Sequence, residues 1–196
     1  MKADGTGLGG RKLLIISIVF ILLVGGIFFA ISNSLRGSRD DTQKIEVVDV
    51  LANRSVRMTV EGPVVANEQR ESYRIEVGLD KRLIEAIKGY DTAIVGSSTL
   101  GNNRQAYVDF VHALSRAGFD KERRVSEAAS DIRGACATGE RYIFEVLDNG
   151  RSVRRLWTTT CSNARGTLDA KPAPIKRLFD VQIPDRKTVL EPIKID

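Results

Sequence analysis

Histidine and cysteine are nearly missing from this sequence, and most familiar site chemistry goes with them. One imidazole, His112, and two thiols, Cys136 and Cys161, stand among 196 residues. HExxH, CxxC and acidic calcium-loop patterns do not occur, so no metal site is expected. GxSxG and SxxK are missing too, which leaves no recognisable activated serine. A Cys–His nucleophile would need a free thiolate near His112. His112 is instead expected as a partly buried structural residue beside the apolar face of a helix. No cofactor follows from any motif.

Charge of one sign is also missing. The formal net charge is +5, but part of that excess, Lys2, Arg11 and Lys12 against Asp4, precedes a hydrophobic run. The remaining charges alternate in sign, as in Asp120, Lys121, Glu122, Arg123 and Arg124. Such a surface makes no one-sided field for phosphates, and a nucleic-acid partner is not expected.

What the sequence does have is one long uncharged stretch, LLIISIVFILLVGGIFFAIS, from Leu13 to Ser32. At 1.5 Å per residue it is long enough to cross ~30 Å of hydrocarbon, and a chain this small cannot bury it as a core helix. A cleaved signal peptide is the competing reading, because Ala30, Ile31 and Ser32 form a small-x-small site. The run exceeds the ~7–15 residues of a signal h-region, so an uncleaved signal anchor is favoured. No cysteine near its end offers a lipid anchor. Arg11 and Lys12 lack neighbouring acids, whereas Arg36 and Arg39 are followed by Asp40 and Asp41. The positive-inside tendency then puts the N-terminus in the cytoplasm and the rest outside the cell membrane. Gly5, Gly7 and Gly10 spell GxGxxG, but no strand precedes them, so they carry no dinucleotide site.

The expected organisation is a cytoplasmic tail at 1–12, a transmembrane signal anchor at 13–32, a polar linker at 33–44, an extracytoplasmic domain at 45–184 and a tail at 185–196. Val56, Met58 and Val60 alternate with Arg57, Thr59 and Glu61, the period-two pattern of a strand, and Gly62-Pro63 ends it. Tyr73, Ile75 and Val77 repeat the pattern within 72–79, allowing an antiparallel pair. RLIEAIKGY admits a short helix, while 92–100 is a weak strand. Asn103 caps a helix whose apolar positions are Ala106, Tyr107, Phe110, Val111, Leu114 and Ala117, ending at Gly118. Residues 120–134 read as a loop with at most a turn or two of helix. Leu178, Phe179 and Ile183 are spaced for a short helix. The fold class is α+β: an N-terminal transmembrane helix plus one small domain with a mainly antiparallel sheet and one or two packed helices.

RYIFEVLDNGRSVRRLWTTT is the clearest local signal, because Asn149-Gly150 supplies the positive φ angles of a tight hairpin turn. That turn sets Glu145 opposite Arg154, Ile143 opposite Leu156, Val146 opposite Val153 and Tyr142 opposite Trp157. Extended, the register sets Cys161 opposite Thr138 and makes Cys136 its diagonal neighbour. A disulfide clasping the hairpin is then expected, the alternative being two buried free thiols. Arg151, Arg154, Arg155 and Trp157 form a possible binding face, against strand decoration with Trp157 in the core. Asp109, Asp131 and Glu145 are candidate acid–base carboxylates whose separation the sequence leaves open. Asn53-Arg54-Ser55 has the form of a glycosylation sequon only.

CATGERYIFEVLDNG followed by RLWTTTCS, with GPVVANE upstream and AYVDFVHALSRAGF between them, resembles a family of small single-pass, membrane-anchored envelope proteins of candidate-phylum bacteria. The resemblance covers about Arg57 to Pro184 and implies a bacterial envelope, with no activity and no functional residue. The reading is a membrane-tethered extracytoplasmic binding module, its partners the membrane and an envelope protein or polymer. An extracytoplasmic hydrolase using a carboxylate pair is the alternative. A pilin-like subunit ranks lower, because the polar linker breaks the continuous helix such subunits pack with.

Overall fold

The computed structural model describes residues 54–195. The expected tail at 1–12, anchor at 13–32, linker at 33–44, the first residues of the domain, Gly5, Gly7 and Gly10, and Asn53 of the sequon lie outside them. Among the described residues no helix is long and apolar enough to cross a membrane.

The domain is α+β, a six-stranded antiparallel sheet with three of the four described α-helices against one face. The strands are β1 (Ser55–Glu61), β2 (Glu71–Val77), β3 (Lys81–Lys88), β4 (Ala93–Gly101), β5 (Arg141–Asp148) and β6 (Arg151–Thr159). The helices are α1 (Arg104–Ala117), α2 (Glu127–Ser130), α3 (Pro172–Asp180) and α4 (Arg186–Leu190). The order across the sheet is β4-β3-β2-β1-β5-β6. β1 therefore lies inside the sheet, and β4 and β6 are its two rims.

Alternation in β1 does what it promises: Val56, Met58 and Val60 are fully buried and Arg57, Thr59 and Glu61 face the other side. Helix α1 starts where the Asn103 side chain accepts from the Ala106 N–H, and it ends at Gly118, which is left-handed at φ 86°. Its Tyr107, Phe110, Val111 and Leu114 close on the sheet beside Ile175 and Phe179 of α3. Phe110 meets Phe179 edge-on, at 5.2 Å between ring centroids.

RLIEAIKGY is not a helix: it is β3 as far as Lys88, followed by a turn at Gly89 and Tyr90. Its Ile84 and Ala86 face the core while Leu83 and Ile87 face the opposite side, and partners on both flanks supply backbone bonds that no isolated propensity competes with. The C-terminal residues expected as a tail are folded. Val189, Leu190, Ile193 and Ile195 are buried in the core cluster, and the Lys194 N–H donates to the Glu71 carboxylate. The prolines that suggested a tail merely punctuate short segments.

The hairpin turn is Asn149-Gly150, both at positive φ. Its first pairs, Asp148 with Arg151 and Leu147 with Ser152, follow the expected register, but a bulge then inserts one residue, Val153. Beyond it Val146 faces Arg154, Glu145 faces Arg155, Phe144 faces Leu156, Ile143 faces Trp157 and Tyr142 faces Thr158. The four pairs expected from the turn are thus each one residue out. Because side chains alternate with period two, the shift puts Leu156 on the helix-covered face and turns Trp157 away from it.

Candidate functional site

The hairpin's open end is clasped as the sequence suggested. Cys136 and Cys161 form a disulfide, with their α-carbons 5.5 Å apart, and neither thiol is free. Cys136 takes a positive φ of 54°, bending its loop across the strand ends. Gly139 is the neighbour that makes room: a β-carbon there would stand 2.7 Å from the Cys136 sulfur and 2.4 Å from Thr160 Oγ1.

Beside this clasp, the rim of β6 is extended by two irregular segments. Trp157 donates its backbone N–H to Thr167 Oγ1 and accepts at its carbonyl from the Leu168 N–H. Residues 121–123 then pair with 167–169 through Arg123 N–H to Thr167 C=O and Asp169 N–H to Lys121 C=O. Between these segments and α2 lies a cleft of about 590 Å³ lined by Glu122, Arg123, Arg124, Val125, Ser130 and Thr167. The indole N–H of Trp157 donates to the Ser130 carbonyl at 2.8 Å, fixing the end of α2 against the cleft.

The lining carries two arginines and one glutamate. Arg123 pairs with Asp169, and Glu122 pairs with Arg154, whose guanidinium also donates to the Asp120 carbonyl. Arg124 has no ion-pair partner among the described residues. A guanidinium in the lining of a cleft that also holds the hydroxyl-bearing Ser130 and Thr167 suits a carboxylate or phosphate oxygen on a ligand. Just beyond Ser130 in the chain, Arg133 donates to Asp131 from its side chain and its backbone N–H, which lowers the Asp131 carboxyl to about 2.

Of the proposed binding face, the structure brings together only part. Arg154 borders the cleft and is held by Glu122. Trp157 is 5 % exposed and serves as a structural wedge, not as a ligand platform. Arg155 stands across from Glu145 on the open face of the sheet, and Arg151 is exposed at the hairpin turn. The bulge at Val153 is what parts Arg154 from Arg155 and Trp157. Arg123, Arg124, Ser130 and Thr167 carried no signal, because the alternating charges there read as ordinary solvated surface.

The three candidate carboxylates are each engaged separately. Asp109 accepts from Gln105 one helical turn away, Asp131 is tied to Arg133, and Glu145 accepts two hydrogen bonds from Arg57. Glu145 belongs to a cross-sheet row, Thr99, Leu83, Glu76, Arg57, Glu145 and Arg155, one residue from each strand. The next row holds Glu85 and Arg74 as an ion pair. Alternating signs make this open face self-neutralising. His112 is half-buried on α1. Among the described residues no three His, Cys, Asp or Glu side chains are grouped to hold a metal ion.

Comparison of the chain with protein-family models, curated proteins and solved structures finds no match.

Proposed function

We propose that this chain is a membrane-tethered binding module of the cell envelope, held by residues 13–32 and presenting its domain outside the cell membrane. The observation that carries the reading is the Cys136–Cys161 bond, because a disulfide persists in oxidising compartments and is reduced in the cytosol of most cells. The uncharged run at 13–32 and the basic residues before it support the same orientation. The cleft beside the clasp, with Arg123 and Arg124 at its wall, is the favoured contact, and its chemistry suits an anionic group of an envelope protein or polymer.

Two measurements test this. Alkylation of the untreated full chain from cells should find no free thiol, and alkylation after reduction should find both; two free thiols would sink the outward orientation. Cross-linking in intact cells, with a fragment of residues 1–44 as control, should recover a partner absent from the control and lost with Arg123→Ala/Arg124→Ala. Recovery of the chain alone, at full cross-linking efficiency, would remove a protein partner and leave a polymer as the ligand.

A further inference from the structure

The two rims of the sheet are finished differently. At β6 the Trp157 backbone is capped by Thr167 and Leu168, and Arg151, Arg154 and Arg155 charge the strand. At β4 no charged residue and no proline occurs, and the uncharged stretch runs from Thr92 to Asn103. Charge and proline are among the usual means of keeping a sheet edge from pairing with another strand, and β4 has neither. Val189 and Asp185 cover Gly96 and Ser98 on one face, but among the described residues no segment bonds the outer backbone of β4 as Thr167 and Leu168 bond that of β6.

Backbone alternation identifies the spare groups on β4. Gly78 N–H bonds the Lys81 carbonyl, so Lys81 turns toward β2, and Arg82, Ile84 and Ala86 turn toward β4. Their partners Leu100, Ser98 and Gly96 face back toward β3. Ser97 and Thr99 therefore aim their N–H and C=O groups out of the sheet. Beside them on the same strand stand the exposed apolar side chains of Ile94 and Val95, and Tyr90 is exposed in the turn that precedes the strand.

We infer that this rim pairs with β4 of a second copy of the chain, joining the two sheets antiparallel into one. Charge selects the occupant. A two-fold axis sets a strand against its own image, so any charge on the strand meets a like charge; β4 itself carries none, and the Asp185 carboxylate that accepts from Ser98 Oγ lies off the strand. The same operation on β6 would set arginines against arginines. The register shift between Ala86 and Ile87 leaves Gly96–Gly101 as the regular stretch. Placing the axis at Ser98 sets Ser97 against Thr99 of the partner, so that the outward groups of both residues bond in both copies, with Ile94 and Val95 flanking the seam.

Sedimentation of the full chain in mild detergent over a range of concentrations tests this, with the wild type compared to Ser97→Lys/Thr99→Lys. Both side chains are exposed, so the variant's thermal unfolding should match the wild type, and each single lysine serves if the pair does not fold. The wild type should form dimers, and the lysines should weaken association by at least ~10-fold. A wild type that stays monomeric throughout would overturn the inference. So would a dimer indifferent to the lysines, which would assign association to residues 13–32 or another surface. A co-purifying polypeptide of different sequence, displaced by the lysines, would replace the second copy as the occupant.

Discussion

Gly166 lies against the indole of Trp157: a β-carbon at Gly166 would stand 2.3 Å from the Trp157 carbonyl oxygen and 2.6 Å from its Cε3. Gly166 also holds a φ of 64°. Two costs therefore act on any side chain there, left-handed backbone strain and overpacking. Gly166→Ala should lose about 2–4 kcal/mol of stability. Because Trp157 is the sole tryptophan, its fluorescence during urea unfolding measures the loss directly. An unchanged midpoint would mean that the 162–167 loop moves off the indole at little cost.

The disulfide closes a loop of 25 residues in sequence separation. Cross-linking at that length restricts the unfolded chain, and Cys136→Ser/Cys161→Ser should cost about 3 kcal/mol. Reduction of the wild type should give the same shift in the denaturant midpoint. A reduced protein as stable as the oxidised one would show that the strand ends are already held by Thr160 and Glu140, which exchange backbone and side-chain bonds there.

Removal of residues 185–196 should destabilise the domain strongly, because it uncovers the face that Val189, Leu190, Ile193 and Ile195 bury. Ile193→Ala and Ile195→Ala should each cost about 2–4 kcal/mol, less where the segment can settle inward. Amide exchange gives the local check: faster exchange at Gly62 and along β2 is expected, since a β-carbon on Gly62 would lie 3.0 Å from Ile195 Cδ1.

Three tyrosines make stability fall in alkali. Burial pushes the hydroxyls of Tyr73, Tyr107 and Tyr142 well above the ordinary tyrosine value, with Asp180 adding at Tyr73, Glu76 at Tyr107 and the hydrogen bond to Glu140 at Tyr142. The sign follows from linkage. Their contribution is complete below the unfolded value of about 10 and is lost as pH climbs from there toward the folded values. Phenolate absorbance at 295 nm on the order of pH 11 should report these three as still protonated, then rise with unfolding. Ionisation of all four tyrosines before any loss of far-ultraviolet dichroism would contradict this packing.

Local chemistry made several elements legible without the structure. Asn103 and Gly118 bracket α1 because a side-chain cap and a left-handed residue act within one turn of helix. Alternation in β1 and β2 and the positive-φ pair Asn149-Gly150 act over equally short distances. Even the cysteine pairing followed from the hairpin, since a one-residue slip in register still leaves Cys136 near Cys161.

What sequence alone determined is therefore everything that depends on near neighbours: a mainly antiparallel α+β domain, its longest helix, its best hairpin and its clasp. The tertiary structure decided the rest, because it depends on partners distant in the chain. RLIEAIKGY became β3 through pairing with β2 and β4 on either flank. The final residues became core because Tyr73, Ile84 and their neighbours leave an apolar face that Ile193 and Ile195 cover. The bulge at Val153 moved Trp157 off the expected face and left Arg123 and Arg124, not a row on β6, to form the cleft. A period-two pattern states which residues share a face but not where the count slips, and one slip reassigns every side chain beyond it.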